Sequence, residues 1–251
     1  MMITPADPYN VNDPYNLHDP KNRLIVALDF PAAAPARAFL AQLDGACRWL
    51  KVGLELYYAE GNAFVHELRD QGYEVFLDLK LHDIPNTVAA AVRAASRTGA
   101  SLLTLHASGG AAMMEAAADA AANQPGAPRL LAVTVLTSMD AAQLAGIGIA
   151  AKPAEHVLHL AQLAWTSSIH GMVCSAEEVA MLRSALGSDA ELIVPGIRPT
   201  SSASFDQRRI ATPAEAIRSG ASKLVIGRPL TRAADPGSSA QAILAEIASA
   251  L

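Results

Sequence analysis

Residues 75–87 read Val-Phe-Leu-Asp-Leu-Lys-Leu-His-Asp-Ile-Pro-Asn-Thr, and the rest of the chain makes sense as support for them. Residues 75–80 are a strand in which side chains alternate. Phe76, Asp78 and Lys80 are expected on one face and Val75, Leu77 and Leu79 on the other. The non-charged positions are uniformly apolar, so both faces are expected to be buried. An acid and an amine two residues apart on such a face need opposite charges or a ligand, because an unpaired buried ion costs several kcal/mol. The strand stops at Asp83-Ile84-Pro85-Asn86, a proline-led start for a helix over 87–98, with Asp83 or Asn86 available as its N-cap. Taken alone, an Asp-x-Lys strand reads equally as a structural ion pair.

Outward from this stretch, short strands rich in Val, Ile and Leu alternate with helical segments. Strands are expected at 24–29, 49–53, 75–80, 101–106, 130–136, 169–174, 192–195 and 223–227, with helical segments between them and a last helix over 239–251. Eight strand–helix units over this length favour one closed α/β domain, a (β/α)8 TIM barrel spanning 23–251. An open doubly wound sheet is the alternative, but no Gly-x-Gly-x-x-Gly follows any strand. Residues 1–22 stand apart. Asp-Pro steps at 7–8, 13–14 and 19–20 preclude a helix, and the segment reads as a flexible leader or an arm lying on the surface, where its tyrosines could dock.

Composition narrows the function. In 251 residues 51% are hydrophobic, 17% are charged and the net charge is −5. No basic cluster suggests nucleic acid, and no apolar run reaches the roughly 18 residues of a membrane span. Cys47 and Cys174 are far apart and form no Cys-x-x-Cys, so a reduced cytoplasmic setting is expected, with both thiols in the core. No His, Asp or Glu grouping has metal-ligand spacing, and the His156/His159 pair reads as surface or packing.

In such a barrel the chemistry sits at the C-terminal ends of the strands, and the charges collect there. Asp29 closes strand one, Lys51 lies late in strand two, and Asp78 and Lys80 end strand three. Two carboxylates and two ammoniums can neutralise each other in an alternating array, a dry polar floor with fixed lysine heads. His82 reads as a backbone partner. On the far side, Pro195-Gly-Ile-Arg198-Pro follows strand seven, Asp206-Gln207-Arg208-Arg209 lies in the next loop, and Gly227-Arg228-Pro closes strand eight. Glycine N–H groups and Arg forks at those two loops suit a phosphate. Ser108-Gly-Gly and Leu136-Thr137-Ser138 are weaker candidates, an anion nest and a pair of hydroxyl donors, or plain turns.

Together, Asp29, Lys51, the run 78–87, Val-Leu-Thr137-Ser138, Pro-Gly-Ile-Arg198-Pro, Gln207 and Gly227-Arg228-Pro resemble the orotidine 5′-monophosphate decarboxylases of the bacterial branch, over about residues 23–250. The resemblance implies a barrel with no metal and no cofactor that converts orotidine monophosphate to uridine monophosphate and carbon dioxide. It implies Lys80 as proton donor to pyrimidine C6, Asp78 against the substrate carboxylate, and Lys51 completing an array with Asp83 from the second subunit of a homodimer. By the same resemblance Asp29 and Lys51 hold ribose hydroxyls, Thr137 lies near the nucleotide, Thr87 reaches across the dimer, and Arg198, Gln207, Gly227 and Arg228 hold the phosphate. One departure is the stretch 201–205, which is Ser-rich and carries Phe205 where a small or acidic residue is expected. Two rivals remain: a Mg2+-dependent ketose-phosphate decarboxylase or aldolase of the same barrel group, and a catalytically silent barrel that binds nucleotide phosphates. Magnesium relatives carry a metal-binding Glu where this chain has Lys51.

Overall fold

The computed structural model describes residues 13–200 and 211–251. Eight strands lie in chain order, β1 Leu24–Ala27, β2 Trp49–Gly53, β3 Glu74–Leu81, β4 Leu102–His106, β5 Arg129–Val133, β6 Gly171–Val173, β7 Glu191–Pro195 and β8 Lys223–Ile226. Every neighbouring pair is parallel, and β8 pairs with β1, so the sheet closes into the expected barrel. The helices are α1 Ala33–Gln42, α2 Leu54–Asp70, α3 Pro85–Ser96, α4 Ala111–Ala122, α5 Ala141–Gly146, α6 Pro153–Thr166, α7 Val179–Leu186, α8 Pro213–Arg218, α9 Arg228–Thr231 and α10 Pro236–Ala248. Local chemistry sets several of their starts. Asp140 and Thr212 form capping boxes with Gln143 and Glu215, and proline occupies the first turn of α3, α6, α8 and α10.

Strand alternation divides the apolar residues into two cores. Leu24, Val26, Leu50, Val75 and Leu77 face outward into the layer shared with the helices, whereas Ile25, Trp49, Phe76, Leu102 and Leu131 fill the barrel's interior. Cys47 and Cys174 are buried and unpaired, and burial pushes the Cys47 thiol up to about 12. Among the described residues no helix is long and apolar enough to cross a membrane.

Three expectations need correction. Asp29 lies two residues beyond β1 rather than closing it. The helix after β3 starts at Pro85 with Ile84 as its N-cap, and neither Asp83 nor Asn86 caps it; the Asp83 carboxylate instead accepts the Ile84 N–H at 2.6 Å. The described half of the leader, residues 13–22, is packed rather than loose. Pro20–Asn22 form a 3-10 turn capped by Asp19, and Asn22 is fully buried, its amide donating to the carbonyls of Asp13 and Asn16. Tyr15 enters the N-terminal mouth of the barrel, edge-on to Trp49 at 5.5 Å between ring centroids, and the Trp49 indole N–H donates to the Pro14 carbonyl. Sequence-local turn chemistry hides this, because Tyr15's partners, Trp49, Arg129 and Lys223, come from distant strands.

Candidate active site

At the C-terminal mouth the barrel aligns Lys51 with Phe76 and Gly53 with Asp78, so the Lys51 side chain climbs two residues to meet the carboxylate. Gly53 leaves it room. A methyl carbon there would stand 3.1 Å from the Lys51 ammonium, closer than side-chain carbons normally approach. The Lys51 Nζ lies 3.3 Å from Asp29 Oδ1 and 3.4 Å from Asp78 Oδ2, and Lys80 Nζ donates to Asp78 Oδ1 at 2.6 Å. The four expected groups therefore form one alternating chain, Asp29–Lys51–Asp78–Lys80, drawn from three successive strand ends. Asp78 and Lys51 are largely buried, with side chains 14% and 12% exposed, while Lys80 at 30% and Asp29 at 58% open towards solvent. Burial pushes the Asp78 carboxyl up, but Lys51, Lys80 and the Thr104 hydroxyl outweigh it and leave it below the usual carboxylate range.

Simple alternation does not survive through Lys80. Between the pairs Leu77–Leu103 and Leu81–Leu105, β3 advances four residues while β4 advances two, so β3 bulges at Asp78-Leu79-Lys80. Lys80 has φ +50°, a left-handed conformation that costs a non-glycine residue about 1–3 kcal/mol. The Lys80 amide, displaced from the ladder, donates to the Thr104 hydroxyl at 2.9 Å. Sequence reasoning passed over Thr104 and Gly53. The available signal was the lone hydroxyl in Leu-Leu-Thr-Leu-His, placed inward between Leu102 and His106 by the same alternation.

Around this array, His82 and His106 bring their rings to 5.4 Å. Burial, then His82 and Lys80, hold the His106 imidazole below its ordinary range against the opposing pull of Asp78. Asp83 is exposed and is absent from the ion pairs of its own chain among the described residues; His82 to Thr87 are all exposed, with Ile84 presenting 66% of its surface. Thr137 is exposed just past β5.

On the β7–β8 side of the mouth, burial and then the positive charge of Arg228 push Arg198 below its usual range. Two guanidiniums that disfavour each other across two loops suit a shared anion. Gly227 joins this side to the ion-paired side, since a methyl carbon on it would lie 3.1 Å from Asp29 Oδ2. Asp206, Gln207, Arg208, Arg209 and the unusual stretch 201–205 lie outside the described residues. Among the described residues no group of three or more His, Cys, Asp or Glu is placed to hold a metal ion.

A parallel eight-stranded barrel with ionic side chains gathered at the C-terminal ends of its strands defines a (β/α)8 enzyme. The profile of the orotidine 5′-phosphate decarboxylase / HUMPS family matches residues 22–243. Orotidine 5′-phosphate decarboxylases of Halorhodospira halophila and Chromobacterium violaceum are each 54% identical, over 228 and 225 residues that span 91% and 89% of this chain and 97% and 91% of theirs. The crystal structure of the Lactobacillus acidophilus enzyme of that name superposes with a TM-score of 0.80 at 40% identity, covering 89% of this chain and 98% of that one. The chain belongs to this family, whose decarboxylases are carboxy-lyases of pyrimidine biosynthesis.

Proposed function

We propose that the chain decarboxylates orotidine 5′-monophosphate to uridine 5′-monophosphate and carbon dioxide, without metal or cofactor, as a cytoplasmic homodimer. The observation that carries this reading is the alternating chain Asp29–Lys51–Asp78–Lys80 at the barrel mouth. When the C6–carboxylate bond breaks, carbon dioxide leaves and the electron pair stays on C6, a carbanion with little resonance relief. Stabilisation must come from charge already in place, and the Lys80 ammonium supplies it and then gives C6 its proton. Asp78 fixes that ammonium and lies against the substrate carboxylate, a ground-state stress that is the smaller contribution. Lys51 and Asp29 hold the ribose hydroxyls, and Thr137 lies near the bound nucleotide. Arg198, Gln207, Gly227 and Arg228 grip the phosphate, so remote binding energy helps organise the reacting end.

Asp83 and Thr87 serve the partner's site in this reading. It is supported by their exposure, by the apolar Ile84 beside them and by the absence of Asp83 from its own chain's array. The magnesium-dependent alternative is disfavoured by Lys51, whose ammonium stands 3.3 Å from Asp29 and 3.4 Å from Asp78, where a second cation would be repelled. A silent phosphate-binding barrel would have no use for a left-handed lysine held in an ion-paired array.

The deciding assay follows the loss of orotidine monophosphate absorbance with purified, metal-stripped protein. Turnover that persists in chelator supports the reading, and turnover restored only by Mg2+ overturns it. Mixing an Asp83→Ala chain with a Lys80→Ala chain should regain activity in hybrid dimers; confirmed hybrids that stay silent would refute the shared site.

A further inference from the structure

We propose that Thr104 is a positioning residue for this reaction: its hydroxyl replaces the missing rung of the β3–β4 ladder and thereby aims the Lys80 amine. The inference rests on the decarboxylation reading above, in which Lys80 is the proton donor.

Thr104 is completely buried and faces the barrel interior, opposite the place where β3 spends four residues against two of β4. A bulge of that size strips the Lys80 amide of its strand partner, and an unpaired buried amide is rarely tolerated. The Thr104 oxygen accepts that N–H at 2.9 Å. The same hydroxyl donates to Asp78 Oδ1 at 3.1 Å, the oxygen that receives the Lys80 ammonium at 2.6 Å. One side chain thus holds both ends of Lys80, the left-handed backbone directly and the amine through its counter-ion. Donor and acceptor roles are both filled, which a hydroxyl can do and a valine cannot. Without it the bulge must find another acceptor or relax, and either change moves the amine relative to the substrate.

The test compares Thr104→Val, Thr104→Ser and Thr104→Cys. Val keeps the volume and loses the hydroxyl; Ser keeps the hydroxyl and loses the methyl; Cys matches Ser in shape with a weak donor and acceptor. In T104V, kcat for orotidine monophosphate should fall about a hundredfold with KM little changed, as for a misplaced reacting group. T104S should stay within about fivefold of the parent kcat although it leaves a cavity, and T104C should fall with T104V. A role confined to stability would instead order the variants by lost packing, with Ser and Cys alike. Equal kcat values for T104S and T104C overturn the proposal, and that pair decides even if T104V does not fold. Independently of activity, native-state hydrogen exchange at the Lys80 amide should speed up about tenfold or more in T104V or T104C while the Leu77 and Leu103 amides keep their protection. An unchanged Lys80 amide also overturns it. If the parent protein proves unable to decarboxylate orotidine monophosphate, the reaction assignment fails, and the amide measurement still decides whether Thr104 holds the bulge.

Discussion

Lysines stand at both ends of the barrel, and the two ends treat them in opposite ways. At the C-terminal mouth Lys51 and Lys80 meet carboxylates, with Asp78 between them. At the N-terminal end Lys223 is fully buried and donates to the carbonyl oxygens of Asn22 and Pro14, at 2.9 and 3.5 Å, with its ammonium 4.4 Å above the Trp49 ring. Neutral oxygens and a ring face solvate an ammonium incompletely. Burial pushes Lys223 down to about 8, with Glu191 opposing, and pushes the Tyr15 hydroxyl beside it up to about 12. The mouth is a balanced set of full charges open to a ligand, whereas the floor packs the Lys223 ammonium among rings and carbonyls, with the Arg129–Glu191 pair, 3.1 Å apart, beside Tyr15. Charge at one end is available for chemistry; at the other it is a liability that packing must offset.

The sharpest way to break this contrast is Lys80→Ala. Decarboxylation should drop by at least about a thousandfold while uridine monophosphate binding, read by calorimetry, stays within about threefold. Surviving turnover would remove Lys80 from the chemistry. Next comes Asp78→Asn, which leaves Lys51 and Lys80 facing each other without their shared counter-ion. Its kcat should fall by about a hundredfold or more, with a stability loss of about 1–3 kcal/mol in urea titration. A variant with normal kcat would mean the array is only structural.

The floor should answer in stability and not in rate. Tyr15→Ala removes the ring packed on Trp49 and beneath the Arg129 guanidinium, which lies 4.6 Å from its centroid. It should cost roughly 3 kcal/mol by urea titration and leave kcat per folded molecule within about twofold. A large loss of kcat in folded protein would show that the two ends are coupled. The smallest effect is a pH slope. Burial lowers Lys223 from the 10.5 of a free lysine to about 8, so the unfolded chain binds more protons between these limits. Stability therefore rises with pH through that window, by roughly 3 kcal/mol if the other groups are held constant. Tyr15 contributes the opposite slope from pH 10 to 12, because folding disfavours its phenolate. The difference in stability between the parent and Lys223→Met should follow the lysine window, and a flat difference across pH 8–10.5 would contradict the buried ammonium.

The same contrast explains what the sequence made legible. The mouth announces itself because charges in apolar strands stand out: Asp78 and Lys80 in 75–80, and Lys51 in Trp-Leu-Lys-Val-Gly, are readable as an array from the residues alone. The eight-unit alternation likewise carried the barrel. The bulge at Lys80 was not legible, because a period of two assumes an unbroken ladder and β3 carries extra residues there. Thr104 and Gly53 escaped because their roles depend on what stands opposite them in the neighbouring strand. The floor was least legible of all. Asp13-Pro14-Tyr15-Asn16 has turn chemistry and no local reason to be buried, and its partners lie as far away as Lys223.

The junction of β1 with β8 unites residues about two hundred positions apart in the chain, pairing Leu24 with Leu224 and Val26 with Ile226. Below it, Arg23 donates to the carbonyls of Ala221 and Ser222 and Lys223 reaches Asn22; above it, Gly227 lies against Asp29. This junction is a hasp whose two leaves are the first and the last strand of the barrel. Bringing such remote segments together carries a loop-closure cost before it yields contacts, which the β1–β8 ladder must offset. A chain cut before Lys223 would lack one leaf and leave Asp29 without its Gly227 neighbour, so the ion-paired mouth depends on a strand about two hundred residues away in the chain.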